Sequence, residues 1–491
     1  MFKLTSSKGA RGATVTRPGG RRATAMSVVA AATALTTILS GCSMLGTGVV
    51  TVNVGYQSKT LNTVNAGTLM RDREKFEVAL DRVGEENGTR YRVVWHDFSS
   101  GAPLTAAMLA THVDIGSMGD YPLVTNGSKS SAYDDAATEF VATTGYNLRG
   151  SLNQVVSPIS SDLADLQGLR GLQVSTSLGS AGDGMLSTAL DRVGVEAGEV
   201  MIANQDPSIG AAALEGGQVD ALAQFVPWPQ MMIFRGQGRL LYDGGENGVP
   251  TFHGVVARKH FTAEHPEVMT AFLEAMQSTN DYITDHPLEA AVRTSEITGI
   301  EPEVAYLYNG PGGMVTFDTT IKKQFSQTLD QVKEFLVKRG SVAAYFDLET
   351  FQNTRYLEEL YGAGFADRTA SSDNPSELTG YDEVCDLPVS DPATASEVWF
   401  DGENETRKAA SPTCLLRRIS DSAIGVRAGY VPDTETGLKL FAAQATWVSD
   451  PATGRVLPFA TERGANRYLA DAPSASLVSY EEALSLSRPA H

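Results

Sequence analysis

Short apolar runs alternate with longer amphipathic stretches from Val49 to about Gly362, and this alternation constrains the fold more than any other feature of the sequence. Short apolar runs are typical of parallel strands, and amphipathic stretches are typical of the helices that cover them. The pattern therefore predicts an α/β fold. The predicted strands are 50–54, 91–95, 113–116, 172–175, 221–225 and 254–257, and the predicted helices are 185–193, 208–215, 266–284 and 321–339.

The first 41 residues are typical of an export signal. Six basic residues and no acid precede an uncharged stretch, 23–38, that is too short and too rich in Ala and Thr to span a membrane comfortably. The stretch ends in Leu39-Ser40-Gly41-Cys42, which resembles a bacterial lipoprotein signal, so we expect a lipidated Cys42 and an extracytoplasmic protein anchored to the cell membrane. An ordinary secretory signal is the alternative, and the Arg21-Arg22 pair leaves the export route open.

Composition limits the partners and the number of domains. The chain of 491 residues has 39 basic and 58 acidic residues, and loss of the basic signal would make it still more acidic, which excludes nucleic acid as a partner. The length predicts two or three compact units. A small, polar, aperiodic segment predicts a linker at 363–380, which divides a main domain (42–362) from a small α+β domain at 381–491, called the tail below. The apolar runs 396–400 and 438–448 are the predicted strands of the tail.

Two predicted strand-to-helix loops have the composition of an anion site. The loop 177–182 is rich in Gly and Ser, and the loop 118–122 ends in a proline suited to an early helical position. Backbone N–H groups at such helix starts are unpaired and favour an anion, and glycine lets a ligand approach the backbone closely. Both loops would lie at the carboxyl ends of strands, where ligands of α/β sheets bind. The alternative is that both loops are ordinary strand-to-helix turns that bind no ligand.

Six segments occur in an order typical of one family: 54–57, 94–103, 113–122, 165–174, 179–184 and 214–221. Together they resemble the periplasmic-type solute-binding proteins of nitrate, sulfonate and taurine ABC importers, over about three hundred residues. The resemblance implies a two-lobed periplasmic-binding-protein type II fold, a small and mostly anionic ligand, and the permease subunits of an importer as partners. It implies no cofactor and no enzymatic activity.

The resemblance and the two loops together predict the ligand-binding residues. Relatives often carry His where this chain has Asp183, a carboxylate that would repel an anion, so either Asp183 points away or the ligand is not a simple anion. The histidines show no paired metal spacing and are interpreted as structural or surface residues. The predicted ligand-binding residues are Gln57, Ser100, Gly119, Asp120, Ser177, Gly179, Ser180, Phe225 and Trp228.

The tail contains Cys385 and Cys414, which predict a disulfide in an oxidising compartment. The tail also faintly resembles copper-binding accessory lipoproteins of nitrous oxide reductase, but their Cys-Gly-Met is here Cys385-Asp386-Leu387 and the only His is the terminal one. We therefore expect no metal. A copper-handling protein that acts through the tail remains an alternative. So does an enzyme similar to the pyrimidine-precursor synthases, although their Cys-rich motif is absent.

Overall fold

The computed structural model of the protein describes residues 48–488. The predicted export signal, together with Cys42, lies outside the described residues. Within the described range, none of the helices combines the length and the apolar character that crossing a bilayer requires.

Two sheets form the body of the protein, one in each of two lobes. The strands are β1 (Val49–Tyr56), β2 (Arg90–Asp97), β3 (Ile115–Gly119), β4 (Thr138–Asn147), β5 (Asn153–Pro158), β6 (Gln173–Thr176), β7 (Met201–Asn204), β8 (Ala221–Phe225), β9 (Gly238–Asp243), β10 (Thr251–Arg258) and β11 (Thr316–Phe317). Lobe 1 has the strand order β11-β4-β10-β3-β1-β2, and lobe 2 has the order β7-β6-β8-β5-β9.

Each sheet is mixed, whereas the sequence pattern predicts parallel sheets. Strand β1 is parallel to β2 and β3, and β6 is parallel to β7 and β8. The chain leaves lobe 1 after β4 and returns to it in β10, and these two strands are antiparallel neighbours. The departure from a parallel sheet therefore arises because the chain must cross between the lobes in both directions.

Helices cover both sheets. They are α1 (Thr68–Asp72), α2 (Lys75–Asn87), α3 (Gly101–Leu109), α4 (Asp120–Ser130), α5 (Ala181–Arg192), α6 (Pro207–Glu215), α7 (Trp228–Phe234), α8 (Lys259–Glu264), α9 (Pro266–Asp285), α10 (Pro287–Thr298), α11 (Pro302–Asn309), α12 (Lys323–Lys338), α13 (Arg355–Tyr361) and α14 (Phe365–Ala370). The predicted strands and helices of the body are confirmed to within a few residues. In α12 the buried side chains recur at helical spacing, as the sequence predicts.

The tail has three small sheets and three helices. Its strands are β12 (Gly380–Asp382), β13 (Leu387–Val389), β14 (Ser396–Phe400), β15 (Arg407–Ala409), β16 (Val426–Pro432), β17 (Lys439–Phe441), β18 (Thr446–Asp450), β19 (Arg455–Phe459) and β20 (Ser476–Val478), and its helices are α15 (Pro412–Ser420), α16 (Glu462–Asp471) and α17 (Tyr480–Leu486). The single strand-like run predicted at 438–448 is wrong. A 3-10 turn at Ala442–Gln444 divides it into β17 and the start of β18.

The tail packs against both lobes through a shared apolar core. Phe441 of β17 contacts Phe234 at the end of α7, with ring centroids 4.9 Å apart. Tyr306 of α11 packs against Trp399 and Tyr430 of the tail. Helix α14 lies within the segment predicted as a linker, and the predicted domain boundaries at 362 and 380 stay predictions.

Candidate functional site

A cavity of about 250 Å³ lies between the two lobes. Lobe 1 contributes the loops that follow β1 and β2, and lobe 2 contributes the starts of α6 and α7, which follow β7 and β8. The cavity therefore lies at the carboxyl ends of strands from both sheets, where α/β proteins bind ligands. The lining residues are Ser58, Lys59, Thr60, Asp97, Phe98, Ser99, Pro207, Ser208 and Trp228.

One cation and one carboxylate line this cavity on the side of lobe 1. Lys59 is exposed, and no carboxylate of the described residues pairs with its ammonium group. Asp97 accepts hydrogen bonds from the Ser58 backbone N–H (2.9 Å) and from the Ser58 hydroxyl (2.6 Å). These bonds hold the loop after β1 in place, and Lys59 and Asp97 line the same cavity.

Lobe 2 adds hydrogen-bond donors and an aromatic wall. Helix α6 begins at Pro207, and the Asp206 side chain makes no capping bond to its first turn. The Ser208 hydroxyl and the first-turn N–H groups are thus placed at the lobe 2 wall of the cavity, where the helix dipole favours negative charge. Trp228 is only 8% exposed and closes the cavity with an apolar surface.

Three of the predicted residues lie in the cavity wall or next to it. Trp228 lines the cavity, and Gln57 and Ser100 directly adjoin the lining residues Ser58 and Ser99. Gln57 is buried, and its side-chain amide donates a hydrogen bond to the Ser117 carbonyl (3.1 Å). That bond ties the end of β1 to β3 and supports the loop that carries Lys59.

The loop after β6 uses most of its predicted donors within lobe 2. The Ser177 hydroxyl donates to the Gln205 carbonyl (2.8 Å), and the Gly179 N–H donates to the Asp183 carboxylate (3.0 Å). The Ser180 hydroxyl accepts the Asp183 N–H (3.3 Å) and caps α5. A ligand-binding role for Ser177, Gly179 and Ser180 stays a prediction, because these bonds already satisfy the groups in the structure described here.

Asp183 does not line the cavity, and its carboxylate lies instead on the loop that the sequence predicts as an anion site. Besides accepting the Gly179 N–H, its carboxylate lies 3.6 Å from the Arg339 guanidinium, and it is not among the residues that line the cavity. Burial raises the pKa of this carboxyl, while the Gly179 N–H and Arg339 oppose that effect. Asp183 therefore does not exclude an anion from the cavity.

Gly119 and Asp120 lie where β3 runs into α4, and neither lines the cavity. A Cβ on Gly119 would be 3.3 Å from Cε1 of His253 and 3.5 Å from Cβ of Ala181, so glycine allows the lobes to approach closely here. Asp120 is buried and accepts a hydrogen bond from the Thr251 hydroxyl (3.0 Å), and burial raises its pKa to about 7. Phe225 is buried in the core at the end of β8. Ligand-binding roles for these three predicted residues stay predictions.

Sequence reasoning missed several residues of this region. Lys59 lies three residues after β1, Asp97 is the last residue of β2 and Ser208 is in the first turn of α6, and these positions at element ends are the signal that would have found them. His253 is buried in β10 with its Nδ1 2.9 Å from the Asn62 amide nitrogen, and burial lowers its pKa to about 3. It is therefore neutral at physiological pH. No spacing motif marks it in the sequence.

The tail places its cysteines together. A disulfide joins Cys385 to Cys414 at the start of α15. The Asp382 carboxylate lies within 4.8 Å of both sulfur atoms, but it is fully buried and already pairs with Arg418. Because both thiols and the nearby carboxylate are engaged, this arrangement gives no support to the copper-handling alternative.

Comparison with solved structures relates this two-lobed geometry to known proteins. The alkanesulfonate-binding protein SsuA from Xanthomonas axonopodis pv. citri, bound to MOPS, superposes with a TM-score of 0.52 at 17% identity, covering 62% of this chain and 98% of that one. The type II periplasmic-binding-protein fold is confirmed. The periplasmic nitrate-binding protein NrtA from Synechocystis PCC 6803 superposes with a TM-score of 0.50 at 14% identity, covering 68% of this chain and 94% of NrtA.

Sequence comparison agrees with this fold and confirms the predicted resemblance. Residues 123–290 match the family described as NMT1/THI5 like. The taurine-binding periplasmic protein of Escherichia coli K12 is 24% identical over 319 residues, covering 62% of this chain and 95% of the relative. A putative aliphatic sulfonates-binding protein of Bacillus subtilis 168 is 24% identical over 273 residues, covering 54% of this chain and 77% of the relative. Both relatives are named for binding, not for catalysis.

Proposed function

We propose that this protein binds a small organic sulfonate in the cavity between its lobes and delivers it to the permease of an ABC importer. One observation carries the proposal: Lys59, free of any ion pair with a described residue, lines the same cavity as three serines and the first turn of α6. A sulfonate has one negative charge and three acceptor oxygens, which suit an ammonium group surrounded by neutral donors. The names of the taurine- and sulfonate-binding relatives support the same ligand class.

The cavity also favours a ligand with an organic part over a bare inorganic anion. The aromatic surface of Trp228 and the ring of Phe98 are apolar walls that nitrate would leave uncovered. Asp97 lines the same cavity as Lys59, and a carboxylate in that position attracts an ammonium group. We therefore expect a zwitterionic amino sulfonate such as taurine to bind more tightly than ethanesulfonate, and ethanesulfonate more tightly than nitrate.

Ligand binding by a two-lobed protein of this kind proceeds through closure. A ligand that contacts Lys59 on one lobe and Ser208 on the other stabilises the arrangement in which both lobes surround it. The closed form is then the one that a permease would recognise. We propose binding rather than catalysis, because the cavity lining contains no cysteine and the cysteines of the sequence include no adjacent pair of the kind that the synthase alternative requires.

Replacing Lys59 by Gln should weaken taurine binding roughly 10- to 100-fold, because a hydrogen bond to a charged group contributes about 1.5–3 kcal/mol. Isothermal titration calorimetry of the mature protein with taurine, ethanesulfonate and nitrate measures this. Lys129→Gln is the matched control, since Lys129 is an exposed lysine of α4 that does not line the cavity. Asp97→Asn should weaken the binding of taurine more than that of ethanesulfonate. Equal affinities of wild type and Lys59→Gln would contradict the site, and no binding of either sulfonate would contradict the ligand class.

We further propose that the protein is held at the outer face of the cell membrane by a lipid on Cys42. The support is the sequence Leu39-Ser40-Gly41-Cys42 behind a basic, then apolar, segment. Cys42→Ser should abolish incorporation of a radioactive fatty acid and release or misprocess the protein. Equal labelling of wild type and variant would contradict the anchor and leave the ligand proposal untouched.

A further inference from the structure

Two helices from different lobes are in contact near their N-terminal ends. Helix α4 of lobe 1 begins at Asp120, and α5 of lobe 2 begins at Ala181. The Tyr121 ring lies directly on Gly184, where a Cβ would be only 2.2 Å from ring carbons Cε1 and Cζ. The Tyr121 hydroxyl is 3.5 Å from the Thr188 hydroxyl, one turn further along α5. Only a glycine at 184 permits this contact.

A second contact lies beside the first. Arg339, at the end of α12 in lobe 1, has its guanidinium 3.6 Å from the carboxylate of Asp183 in lobe 2. The same guanidinium lies over the Phe335 ring at 4.9 Å, and Phe335 packs edge-on against Tyr121 with ring centroids 5.7 Å apart. Asp183, Gly184, Tyr121, Phe335 and Arg339 therefore form one continuous cluster across the lobes.

We infer that this cluster is a latch: Tyr121 on Gly184, together with Arg339 at Asp183, holds the lobes closed and thereby sets the affinity for the ligand. None of these four residues lines the ligand cavity. They are positioning residues, which act on the ligand through the closed arrangement. The lobes are joined by the two crossing segments after β4 and β9, so rotation about these segments would separate α4 from α5.

The latch has a defined thermodynamic consequence. Contacts made only in the closed form raise its population, and the apparent dissociation constant varies inversely with the fraction of competent molecules. Loss of the latch should therefore weaken every ligand of the cavity by the same factor, whatever its chemistry. A residue that touches the ligand would instead change the relative affinities of different ligands. The inference depends on the proposed function in one respect: a ligand of the cavity must stabilise the closed arrangement of the lobes.

Gly184→Ala is the decisive variant. Alanine suits the interior of α5 better than glycine, so the helix itself is not weakened and the variant should fold. Its methyl group cannot occupy the space of the Tyr121 ring, so closure should be hindered and taurine and ethanesulfonate should both bind at least 10-fold more weakly. Gly198→Ala is the matched control, because a Cβ at Gly198 in lobe 2 meets nothing within 4 Å.

Two further variants separate the parts of the latch. In a Tyr121→Ala background, Gly184→Ala should have little further effect, because the obstructing ring is gone, and this double-mutant cycle isolates the contact. Asp183→Asn removes the charge that faces Arg339 but keeps an oxygen that accepts the Gly179 N–H. It should lower both affinities several-fold, and Arg339→Gln should lower them by a similar factor.

A measurement without ligand keeps the latch testable if no sulfonate binds. Spin labels at Glu86→Cys in α2 and Gln218→Cys after α6, both exposed positions on different lobes, report the distance between the lobes in a Cys42→Ser background. Double electron–electron resonance of the apo protein should give longer distances for Gly184→Ala than for wild type or Gly198→Ala. Identical distance distributions and identical affinities in Gly184→Ala and Gly198→Ala would overturn the latch. A shifted distance with no sulfonate binding in wild type would support the latch and contradict only the proposed ligand class.

Discussion

Replacing Glu397 by alanine should lower the free energy of unfolding by about 3–5 kcal/mol, the largest effect expected for any single substitution considered for this protein. Glu397 is fully buried, and one carboxylate oxygen lies 2.5 Å from the Lys439 ammonium. The other accepts hydrogen bonds from the Tyr306 hydroxyl (2.8 Å) and the Thr406 hydroxyl (2.6 Å). Removing this carboxylate leaves the buried Lys439 ammonium without its counter-charge, with only the Pro311 carbonyl as an acceptor. Urea denaturation followed by circular dichroism measures the loss.

The chain offers a matched control for this ion pair. Glu435 and Arg467 form an ion pair of the same length, 2.5 Å, but both side chains are more than 40% exposed. Glu435→Ala should therefore cost less than about 1 kcal/mol. The double variant Glu397→Ala with Lys439→Met should recover part of the loss, because it removes the unpaired charge. Equal destabilisation by Glu397→Ala and Glu435→Ala would contradict the role of burial.

The free energy of unfolding of Asp120→Asn, relative to that of wild type, should increase as the pH rises. Burial raises the pKa of Asp120 from 3.8 to about 7, so the folded wild type binds a proton that the unfolded chain has already lost. This contribution to stability is complete below pH 4 and is lost as the pH rises through about 7. Asparagine does not titrate. The advantage of Asp120→Asn over wild type should grow by roughly 2–3 kcal/mol between pH 5 and pH 8.

Denaturant titrations of both proteins at several pH values test this difference directly. Asp243, also buried and with its pKa raised to about 6, is present in both proteins, so its contribution cancels in the comparison. Asn at position 120 retains an oxygen for the Tyr121 N–H, which donates to Asp120 at 2.9 Å in wild type. A stability difference that is the same at pH 5 and pH 8 would show that Asp120 titrates normally in the folded protein.

The sequence predicts the body of the fold well because its apolar runs are short, which distinguishes strands from the longer amphipathic helices. Strand β8 lies at the predicted residues 221–225, and α9 agrees with its prediction to one residue. The apolar run at 438–448 is predicted as one strand, because apolar content alone does not show that the chain turns at Ala442. Mixed pairing within each sheet depends on how the chain crosses between lobes, which no local pattern encodes.

The candidate site was only partly predictable, because it forms from loops that are far apart in the sequence. Lys59 of lobe 1 and Ser208 of lobe 2 line the same cavity, although about 150 residues separate them in the sequence. The sequence correctly indicates that the backbone N–H of Gly179 is placed to donate a hydrogen bond. Asp183 lies four residues later and takes that donor for itself. Competition between a ligand and a nearby side chain for the same N–H group is settled by local geometry, not by residue type.

The shared core between tail and lobes has a consequence for reading related sequences. The taurine-binding relative is matched over 95% of its length by 62% of this chain, so it leaves no room for a comparable tail. In this protein the tail covers the Phe234 ring and the Tyr306 side chain, both of which would otherwise face water. A protein without the tail has no partner for apolar groups at these positions. We therefore expect relatives without a tail to carry polar residues at the positions equivalent to 234 and 306.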